Sequence, residues 1–493
     1  MSRINQNIPS LLAQRVLGDQ NMGLNKSLQR LSTGLRINRG SDDPAGLIAS
    51  ENLRSEKAAI NAAVTNAQRA EQVVNVAEGG LQEVSNLLIE LQSLVSSTAN
   101  EAGVSTEEKE ANQLQIDSIL QTIDRVANAT SFQGTKLLNG NFDYTTSGVD
   151  SAEFSDVTIN SAKLSDDGTA RSVSVSVVEA AETAEAFLNV ADAASDPFGF
   201  INGGNGSITL EITGNKGTQQ FTFASGTSQL DFEAAINSFS DQTGVTATAG
   251  TDSIELNSSE FGADEFVRVK TLNSGTDGNG NNLVSSTSGG AEVAEFQDSG
   301  LDATVLINGQ QATTNGLKAK VSSEGFDVSV SIAEAFNIDS SSGTFDITGG
   351  GANFSLSPSV DLAGKVSLGI ETVTTGNLGS GTAGYLSALK SGGAANVQNG
   401  DLSKAQEVID SAIKQVSGLR GRLGAFQKNV VGSTISSLGI ALENTSAAES
   451  QIRDTDFAAE TASMTRAQIL SQAATQALRL ANSQPQQVLA LLG

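Results

Sequence analysis

The chain carries few of the side chains that catalysis or metal binding requires. Its 493 residues contain no His, no Cys and no Trp. A thiol nucleophile, a His-assisted nucleophile and most transition-metal sites are therefore excluded, because each depends on imidazole or sulfur. Carboxylate pairs, Ser and Lys pairs and oxygen-ligated cations remain open. The composition disfavours an enzyme, and we predict no catalytic residue, no metal and no cofactor.

Two glycine-containing patterns are incomplete versions of known binding loops. Residues 277–282 (DGNGNN) have the start of a calcium loop, but the sixth residue is not Gly and the twelfth, Ser288, is not Glu. Gly418, Gly421 and Gly424 are spaced like part of a phosphate loop, but no Lys-Ser or Lys-Thr pair follows them. We expect a Gly/Asn turn at the first site. At the second we expect close helix packing or a locally weakened helix.

The carboxylate pair Asp42 and Asp43 precedes Pro44. Such a pair could act as a general acid, but its position favours a structural role. Pro is preferred in the first turn of a helix, and carboxylates near a helix N-terminus interact favourably with the helix dipole. We therefore predict that both aspartates cap a long helix that begins there.

The net charge of −26 is concentrated in the middle of the chain. Residues 143–400 hold 9 Lys and Arg against 32 Asp and Glu, whereas residues 1–142 hold 12 against 15 and residues 401–493 hold 8 against 8. An acidic middle argues against nucleic acid and anionic membranes as partners. No stretch is long and apolar enough to span a bilayer, so we expect no membrane insertion. The N-terminus lacks the apolar core of a signal peptide, as in a cytoplasmic protein or in one exported without signal cleavage.

Two heptad patterns predict the long helices of the chain. Apolar residues alternate in spacings of four and three in both of them, which is the pattern of a packed helical seam. If residues 45–100 form one helix, it is about 80 Å long at 1.5 Å per residue, and it must bury its stripe along a partner. The two seams consist of Ala77, Leu81, Val84, Leu88, Leu91 and Val95, and of Ala405, Ile409, Ala412, Val416, Leu419, Leu423, Phe426 and Val430.

A turn at 100–103 and a second helix follow the first seam. Ser105 and Glu108 stand in capping-box relation at the start of this helix. A short turn favours antiparallel packing, so we predict a bundle that joins both ends of the chain. Two independent coiled coils that bind other proteins are the alternative. The apolar stripe of the second helix consists of Ile116, Ile119, Ile123 and Val126.

Between the seams we predict one or two β-rich domains. Short alternating or β-branched runs bounded by Gly, Asn and Asp are typical of strands, and one short helix is expected at Leu230–Phe239. The fold class is therefore α+β and multidomain, with β-rich domains inserted into a long antiparallel helical bundle. The expected strands are Ser207–Thr213, Gln220–Phe223, Val245–Ala249, Ser253–Leu256, Phe266–Leu272, Ala303–Ile307, Ala319–Val321 and Phe326–Ile332.

Residues 1–40 and 455–493 carry weaker apolar stripes than the two seams. They are rich in Ala, Gln, Asn and Ser, so they bury too little apolar surface to fold alone. We predict that they order only against neighbouring molecules and form a polymerisation element. The predicted packing residues are Leu24, Leu28, Leu31, Leu35, Leu470, Ala474, Ala477 and Ala481.

Four blocks of the sequence resemble the bacterial flagellin family. The resemblance covers roughly the first 140 and the last 90 residues, and the middle resembles flagellin inserts only in style. The blocks are LSTGLRINRGSDDPAGLIAS (31–50), GLRGRLGAFQKNV (418–430), QIRDTDFAAE (451–460) and QILSQAATQALRLANSQPQQVLALLG (468–493).

The resemblance implies a secreted, non-enzymatic structural subunit of the extracellular flagellar filament, which serves motility. Residues 1–44 with 455–493 are expected to form its inner core as a coiled coil. Residues 45–142 with 401–454 are expected to form the outer helical bundle, and 143–400 the surface-exposed domains. Export of the unfolded chain by the flagellar type III apparatus would explain the missing signal peptide.

The resemblance also implies partners. These are other copies of the chain in a helical homopolymer, an export chaperone that holds residues 464–493, and the hook-associated junction and cap proteins. Flagellins that activate an innate-immune receptor present an Arg, a Leu and a Glu on the outer helices. The equivalent positions are Glu90, Leu94 and Gln115, so a charge is reversed at one contact and lost at another, and we expect weak recognition.

Two alternatives to a filament subunit, and one addition to it, are considered. A hook–filament junction protein is similar in its N-terminal block, but the C-terminal blocks match flagellin more closely. An enzymatic flagellin of the known kind requires a His-Glu-x-x-His helix, which a chain without His cannot form. An adhesive role of the middle region stays open as an addition to the filament function.

Overall fold

Both ends of the chain fold into helices. The computed structural model describes residues 6–100, 103–164, 169–189, 207–224, 227–250, 253–272, 284–286, 293–381 and 383–492. The second helix has 55 residues, which confirms a single helix about 80 Å long. The helices are α1 (Ile8–Thr33), α2 (Pro44–Thr98), α3 (Thr106–Ala129), α4 (Gln229–Asn237), α5 (Ser240–Thr243), α6 (Leu402–Ala425), α7 (Ser433–Arg453) and α8 (Phe457–Leu492), and a π-helical segment (Phe426–Gly432) joins α6 to α7.

The chain divides into two compact units. The first, here called the terminal unit, comprises Met1–Gln72, Ser355–Gly364 and Ala425–Gly493, and the second, here called the central unit, comprises Val73–Phe354 and Lys365–Gly424. The central unit contains the α2 seam, the α6 seam up to Leu423 and nearly all of the strand residues, and the terminal unit contains α1, α7 and α8. The domain boundaries expected from the sequence, 1–44 with 455–493, 45–142 with 401–454 and 143–400, stay predictions.

The seams of the central unit are buried. All six residues of the α2 seam are at most 2% exposed, and those of the α6 seam up to Leu423 are at most 1% exposed. Gln92 Nε2 donates to Asp410 and Arg420 Nε donates to Glu78, each at 2.9 Å, so α2 and α6 run antiparallel. The predicted pairing of the two ends is confirmed, and the alternative of independent coiled coils is wrong.

Helix α3 begins at the predicted capping box. Ser105 Oγ accepts a hydrogen bond from Glu108 N, and the Glu108 carboxylate accepts one from Ser105 N. Its stripe is buried at Ile116, Ile119 and Ile123, but then Ala127 is fully buried and Val126 is only half-buried. The predicted last member is therefore wrong, because an α-helix advances 3.6 residues per turn and drifts away from a strict three-and-four spacing.

The π-helical segment shifts the buried stripe that follows α6 by one residue. Phe426 is buried, but the next fully buried residue is Val431, and the predicted Val430 is only half-buried. A π-helical turn adds one residue to an α-helix. The cause lies downstream, because the unshifted stripe would bury Ser437, whereas the shifted stripe buries Leu438. The prediction of Val430 as a seam residue is therefore wrong.

Gly418, Gly421 and Gly424 do not serve close packing of α6. A Cβ atom added at any of them would meet nothing within 4 Å. The close-packing interpretation is therefore wrong. Gly in a helix interior costs about 0.5–1 kcal/mol relative to Ala, so these residues weaken α6 just before the π-helical segment. The predicted turn at 277–282 and Ser288 lie outside the described residues.

Short strands fill the middle of the chain. All eight expected strands are present within two residues of their predicted ends, whereas several others, including β3–β6 and β19, are not among the predicted ones. The strands are β1 (Ser131–Phe132), β2 (Thr135–Lys136), β3 (Tyr144–Ser147), β4 (Phe154–Ala162), β5 (Arg171–Glu179), β6 (Glu185–Asn189), β7 (Ser207–Gly214), β8 (Thr218–Ala224), β9 (Val245–Ala249), β10 (Ser253–Ser258), β11 (Phe266–Thr271), β12 (Val284–Ser285), β13 (Glu295–Ser299), β14 (Thr304–Ile307), β15 (Gln310–Gln311), β16 (Thr313–Asn315), β17 (Lys318–Ser323), β18 (Phe326–Ile332), β19 (Ser342–Gly350), β20 (Ala352–Ser355), β21 (Lys365–Leu368), β22 (Gly379–Ser380) and β23 (Gly384–Tyr385).

Most of the described strands form two sandwiches, each with its own apolar core, and the pairs β1-β2, β20-β21 and β22-β23 form separate two-stranded sheets. In the first sandwich, the sheets β15-β14-β5-β19-β3 and β16-β17-β18-β4 enclose side chains such as Val175, Val328 and Phe345. In the second, the sheets β12-β6-β10-β9 and β13-β11-β7-β8 enclose a core that also contains Phe232 of α4. The prediction of β-rich domains inserted between helices is confirmed.

The second sandwich is inserted into the first through two adjacent chain segments. Glu182 N donates to Leu301 O at 2.9 Å, and Leu301 N donates to Glu182 O at 3.0 Å. The chain thus leaves the first sandwich and returns to it through a single antiparallel bridge. The second core, which runs from Ala184 to Val284, lies between these two points in the sequence.

Polar side chains of α3 hold the segment that leads back from the strands to α6. Asp124 accepts hydrogen bonds from Thr375 N at 2.8 Å and Thr375 Oγ1 at 2.9 Å. About three turns closer to the start of α3, and on the same face, Gln113 donates to Leu389 O and accepts from Val397 N, each at 2.9 Å. These bonds satisfy backbone groups of a segment that has little regular structure of its own.

Candidate assembly surface on the terminal helices

Helices α1 and α8 of the terminal unit pair antiparallel through polar contacts. Near the start of α1, Asn7 Nδ2 donates to Ala481 O at 2.9 Å. Three further contacts follow along the pair: Ser10 Oγ to Asn482 Oδ1 at 2.7 Å, Ser471 Oγ to Asn21 Oδ1 at 2.9 Å and Arg30 Nη1 to Glu460 Oε2 at 3.4 Å.

The most deeply buried positions of this pair carry small side chains. Among the side chains that the structure describes on α1 and α8, the buried ones are Ser10, Ser27, Ala474 and Ala481, each 7–8% exposed. Many large apolar side chains point away from the interface and are exposed by 40–65%. These exposed residues are Ile8, Leu11, Leu12, Val16, Met22, Leu28, Phe457, Ile469, Leu470 and Leu480.

The predicted packing residues of the two ends are distributed over both sides of the pair. Leu24, Leu31 and Leu35 are half-buried, and Ala474 and Ala481 are buried. The remaining three, Leu28, Leu470 and Ala477, are exposed. Their role in polymerisation stays a prediction, and so does the role of the bundle seam residues Leu81, Val84, Leu88, Leu91, Val416, Leu419, Leu423 and Phe426, all of which are buried.

A second apolar stripe on α1 is not among the predicted residues. Ile8, Leu11, Leu12 and Val16 repeat at spacings of three and four, which places them on one helix face. This face lies opposite that of Leu17, Leu24 and Leu31. The signal is present in the sequence as a helix that is apolar on two sides, which is typical of a helix with two partners.

Two of the flagellin-like blocks meet at a short backbone clasp. Leu35 and Asp454 form an isolated antiparallel bridge, in which Arg36 N donates to Arg453 O at 2.7 Å and Thr455 N donates to Gly34 O at 2.9 Å. Gly34 has a φ of +73°, which favours glycine, and ends α1 in a left-handed cap. The clasp joins the segment after α1 to the segment between α7 and α8.

The side chain of Arg36 completes the clasp. Its guanidinium donates to Ile452 O through Nε at 3.2 Å and Nη2 at 2.5 Å, so it caps an orphan carbonyl at the end of α7. Asp454 in turn accepts a hydrogen bond from Ser450 Oγ at 2.6 Å. No local pattern in either block predicts this contact, because its partners are more than 400 residues apart in the chain.

Only one of the two predicted capping aspartates caps α2. Asp43 Oδ1 accepts a hydrogen bond from Gly46 N at 2.9 Å, as expected of an N-cap. Asp42 instead accepts from Arg39 N at 3.0 Å and pairs with Lys26 Nζ at 2.9 Å. The prediction of a cap is therefore wrong for Asp42, because its carboxylate fixes the turn before the helix.

The electrostatic surroundings of Asp42 favour its charged form. The hydrogen bond from Lys26 and those from the backbone of Arg39 and Asn38 lower the pKa of Asp42 from 3.8 to about 2. The resulting ion pair connects α1 to the turn that precedes α2.

Further ion pairs join the start of α2 to the end of α7. Lys57 Nζ lies 2.9 Å from Glu449, and Arg453 lies 3.2 Å from Glu51. Deeper in this interface, Ile60 and Ala63 pack with Leu438, the residue buried by the π-helical shift. The antiparallel arrangement of the two ends therefore continues within the terminal unit.

The receptor-equivalent positions lie on α2 and α3. Glu90 and Gln115 are exposed, and Leu94 is half-buried. Among the described residues there is no group of three or more Asp and Glu side chains arranged to hold a metal ion. Within the same residues, no helix has both the length and the apolar character needed to cross a membrane.

Comparisons with known proteins match both ends of the chain. A family model described as the bacterial flagellin N-terminal helical region matches residues 4–143, and one described as the bacterial flagellin C-terminal helical region matches residues 406–492. The B-type flagellin of Pseudomonas aeruginosa is 29% identical, and flagellin B of Vibrio cholerae is 28% identical. Each alignment covers 99% of this chain and 99% of the relative.

A solved structure of FliC from Burkholderia pseudomallei is also similar in sequence at a low level. It is 13% identical, with 73% of this chain and 99% of that chain covered, and its TM-score is 0.24. This score is too low to indicate a shared arrangement of the whole chain.

The fold thus defines a structural protein whose two helical ends pair around an inserted β-rich middle. The chain belongs to the bacterial flagellin family. It is a structural subunit that polymerises into the extracellular flagellar filament and serves motility, and it is not an enzyme.

Proposed function

We propose that subunits of the filament contact one another through the exposed apolar side of the paired helices α1 and α8. The observation that supports this proposal is the inverted burial of the pair, in which Ser10 and Ala474 are buried while Leu12 and Leu480 are 51% and 64% exposed. Burying an exposed Leu side chain contributes about 1.5–3 kcal/mol, so several such residues can stabilise a polymer. Neighbouring copies are the partner, since the chain is a filament subunit.

Substitution of Leu12 and Leu480 by Gln tests this proposal. We expect the double variant to raise the critical concentration for filament growth at least about tenfold, because two apolar contacts are lost at each interface. The matched control is Leu230→Gln, since Leu230 is 70% exposed but lies on α4 in the second sandwich. Equal critical concentrations for the double variant and the control would overturn the proposal.

We further propose that the three parts of the chain take the positions in the filament that are expected from the sequence. Residues 1–44 with 455–493 form the inner core of the filament, 45–142 with 401–454 the surrounding helical bundle, and 143–400 the outward part. The acidic character of 143–400 supports an exposed position, because a solvated surface tolerates its charge. Removal of residues 1–44 is expected to abolish assembly, whereas removal of 183–300 is not.

We also propose the export and capping partners that the flagellin resemblance implies. Before export, a chaperone holds residues 464–493, where Ile469 and Leu480 are 61% and 64% exposed. The type III apparatus exports the chain, and the hook-associated junction and cap proteins contact the ends of the filament. A truncated chain that lacks 464–493 is expected to be lost from the chaperone complex in a co-purification experiment.

Recognition by the innate-immune receptor is proposed to be weak. Glu90 and Gln115 are exposed on α2 and α3, so each is accessible to a partner, but neither supplies the charge that a recognised flagellin presents. The double substitution Glu90→Arg with Gln115→Glu is expected to raise the response of reporter cells to purified subunit. An equally strong response to the unaltered subunit would contradict the proposal.

A further inference from the structure

The two sandwiches of the central unit are connected by two chain segments that lie side by side. These segments meet at Glu182 and Leu301, whose backbone groups are hydrogen-bonded to each other. A connection through one pair of neighbouring segments can bend and twist, and relative motion is the ordinary expectation for two domains joined by so small a contact. A fixed angle between the sandwiches therefore requires contacts beyond these two segments.

Residues 261–265 of the second sandwich supply such contacts. They lie between β10 and β11 and reach the first sandwich, where the Phe261 side chain packs against the apolar core. Asp264 Oδ2 of the same segment accepts a hydrogen bond at 2.7 Å from Asn315 Nδ2, at the end of β16. Neither Phe261 nor Asn315 belongs to the connecting segments. The two sandwiches thus also meet through parts of the chain that do not connect them.

The carboxylate of Asp302 joins three parts of the chain at this place. Asp302 lies in the connecting segment between β13 and β14. Its Oδ1 accepts hydrogen bonds from Ala263 N at 3.0 Å and from Gly316 N at 2.7 Å. The first donor belongs to the second sandwich, and the second belongs to the turn between β16 and β17 of the first sandwich. Hydrogen bonds to an ionised carboxylate are stronger than those between neutral groups, so this single side chain resists separation of the sandwiches.

Three glycines bring the backbones of these segments into direct contact. A Cβ atom added at Gly262 would lie 2.8 Å from both Asp302 Oδ1 and Gly316 Cα. One added at Gly300 would lie 2.5 Å from Glu182 O and 2.6 Å from Gly262 O. Gly262 and Gly316 also have φ values of +123° and +57°, which favour glycine. Such close packing leaves little space for one sandwich to rotate on the other.

We propose that these contacts fix the second sandwich at one angle to the first, so that the two sandwiches move as a single rigid body. The contacts, here called the joint, are made by residues 261–265, Gly300, Asp302 and residues 315–316. Asp302 is the main positioning residue of the joint, since its side chain hydrogen-bonds to both sandwiches. A fixed joint gives the middle region of every filament subunit the same shape. The inference does not depend on the proposed assembly surface.

The absence of cysteine from the chain allows this angle to be measured with spin labels. One label is attached at Leu230→Cys on α4 of the second sandwich and the other at Gln311→Cys on β15 of the first, and both positions are exposed. A second label pair, at Leu230→Cys and Gln297→Cys, lies within the second sandwich and reports whether that sandwich stays folded. Double electron–electron resonance of the free subunit gives the distribution of distances for each pair.

The variant to be tested is Asp302→Ala with Asn315→Ala, which removes the side-chain hydrogen bonds of the joint. The matched control is Asp327→Ala with Asn160→Ala, which removes the 2.7 Å hydrogen bond between these two side chains inside the first sandwich. For the label pair across the two sandwiches, we expect one narrow distribution in the unaltered and control chains. In the variant we expect a distribution at least about twofold wider, because backbone donors of the joint lose their acceptor.

The measured widths decide whether the joint is rigid. A wide distribution in the unaltered chain, or a variant distribution as narrow as that of the control, would overturn the inference. If the pair within the second sandwich also broadens in the variant, Asn315→Ala alone is measured, since Asn315 is exposed and its side chain bonds to Asp264. A distribution across the sandwiches that is wider than that of Asn160→Ala then supports the joint, and an equal width overturns it.

Discussion

Leu88 on α2 and Leu28 on α1 belong to similar heptad stripes, yet Leu88 is fully buried and Leu28 is 46% exposed. In the central unit, heptad leucines meet other large side chains inside one subunit. In the terminal unit, the buried positions of α1 and α8 carry serine and alanine, leucines such as Leu24 and Leu31 are only half-buried, and many other large side chains face outward. The same heptad spacing therefore gives a fully buried apolar core in the central unit and a partly exposed one in the terminal unit. The size of the side chains at the interface decides which of the two forms.

Hydrogen exchange of the free subunit gives the largest expected difference between the two regions. We expect amides of 77–95 to exchange at least about a thousandfold more slowly than those of 8–30, because opening the buried seam requires global unfolding and opening the terminal pair does not. The measurement is mass spectrometry of exchanged peptides from subunit and filament. Full protection of 8–30 in the free subunit would remove the distinction.

Truncation of one leucine in each region compares their energies. Leu88→Ala should lower the free energy of unfolding of the free subunit by about 2–5 kcal/mol, because it leaves a cavity in a closed core. Leu28→Ala should lower it by no more than about 0.5 kcal/mol. Urea denaturation followed by circular dichroism measures both. A loss at Leu28 as large as that at Leu88 would show that the terminal pair contains a closed core after all.

Gly421→Ala tests whether the glycines of α6 weaken this helix without a packing reason. The added Cβ meets no atom within 4 Å, so we expect the free energy of unfolding to rise by about 0.5–1 kcal/mol. Gly46→Ala is the control on α2, where the new Cβ would lie 2.5 Å from Asp43 Oδ2 and 2.8 Å from Ile37 Cδ1. Gly46→Ala should therefore lower the free energy of unfolding. Destabilisation by Gly421→Ala would indicate a contact at this position.

The ion pair of Asp42 predicts a small pH effect confined to the terminal unit. Its pKa is lowered from 3.8 to about 2, so its stabilising contribution is present above pH 3.8 and is lost as the pH falls toward 2. The Asp42→Asn variant should therefore lose less stability than the unaltered chain as the pH falls from 3.8 toward 2. Lys26→Met should act in the same direction, since the Lys26 hydrogen bond is the main cause of the shift. Acid titrations that are identical for all three chains would contradict the assignment.

The sequence predicts the elements of this fold better than their contacts. The α2 seam and the capping box at Ser105 follow from local spacing alone, and the structure contains both. The stripe beyond Phe426 does not follow from it, because its phase depends on Leu438, which lies after the π-helical turn. Extrapolating a heptad forward cannot detect one inserted residue.

The proposed assembly surface is also predicted only in part, and the physical reason differs from that for the stripe beyond Phe426. A stripe such as Leu24, Leu28 and Leu31 marks an apolar face, but a helix with two apolar faces does not reveal which face meets its own chain. The clasp of Leu35 and Asp454 is a pairing of backbone groups from distant segments, so no side-chain pattern marks it. The strand β5 (RSVSVSVVE), by contrast, has a clear alternation and could have been predicted from its sequence.

The bridge between Glu182 and Leu301 has a consequence for how flagellins of this kind can change. Residues 183–300 connect two points of the first sandwich that are as close together as the ends of a tight hairpin turn, because Glu182 and Leu301 are hydrogen-bonded neighbours. Replacing this segment by a domain with equally close ends, or by a short turn, would leave the strands on either side in register and would remove the contact of Phe261 with the first core. The second sandwich is in this sense interchangeable, and its sequence can diverge without any compensating change in the helices.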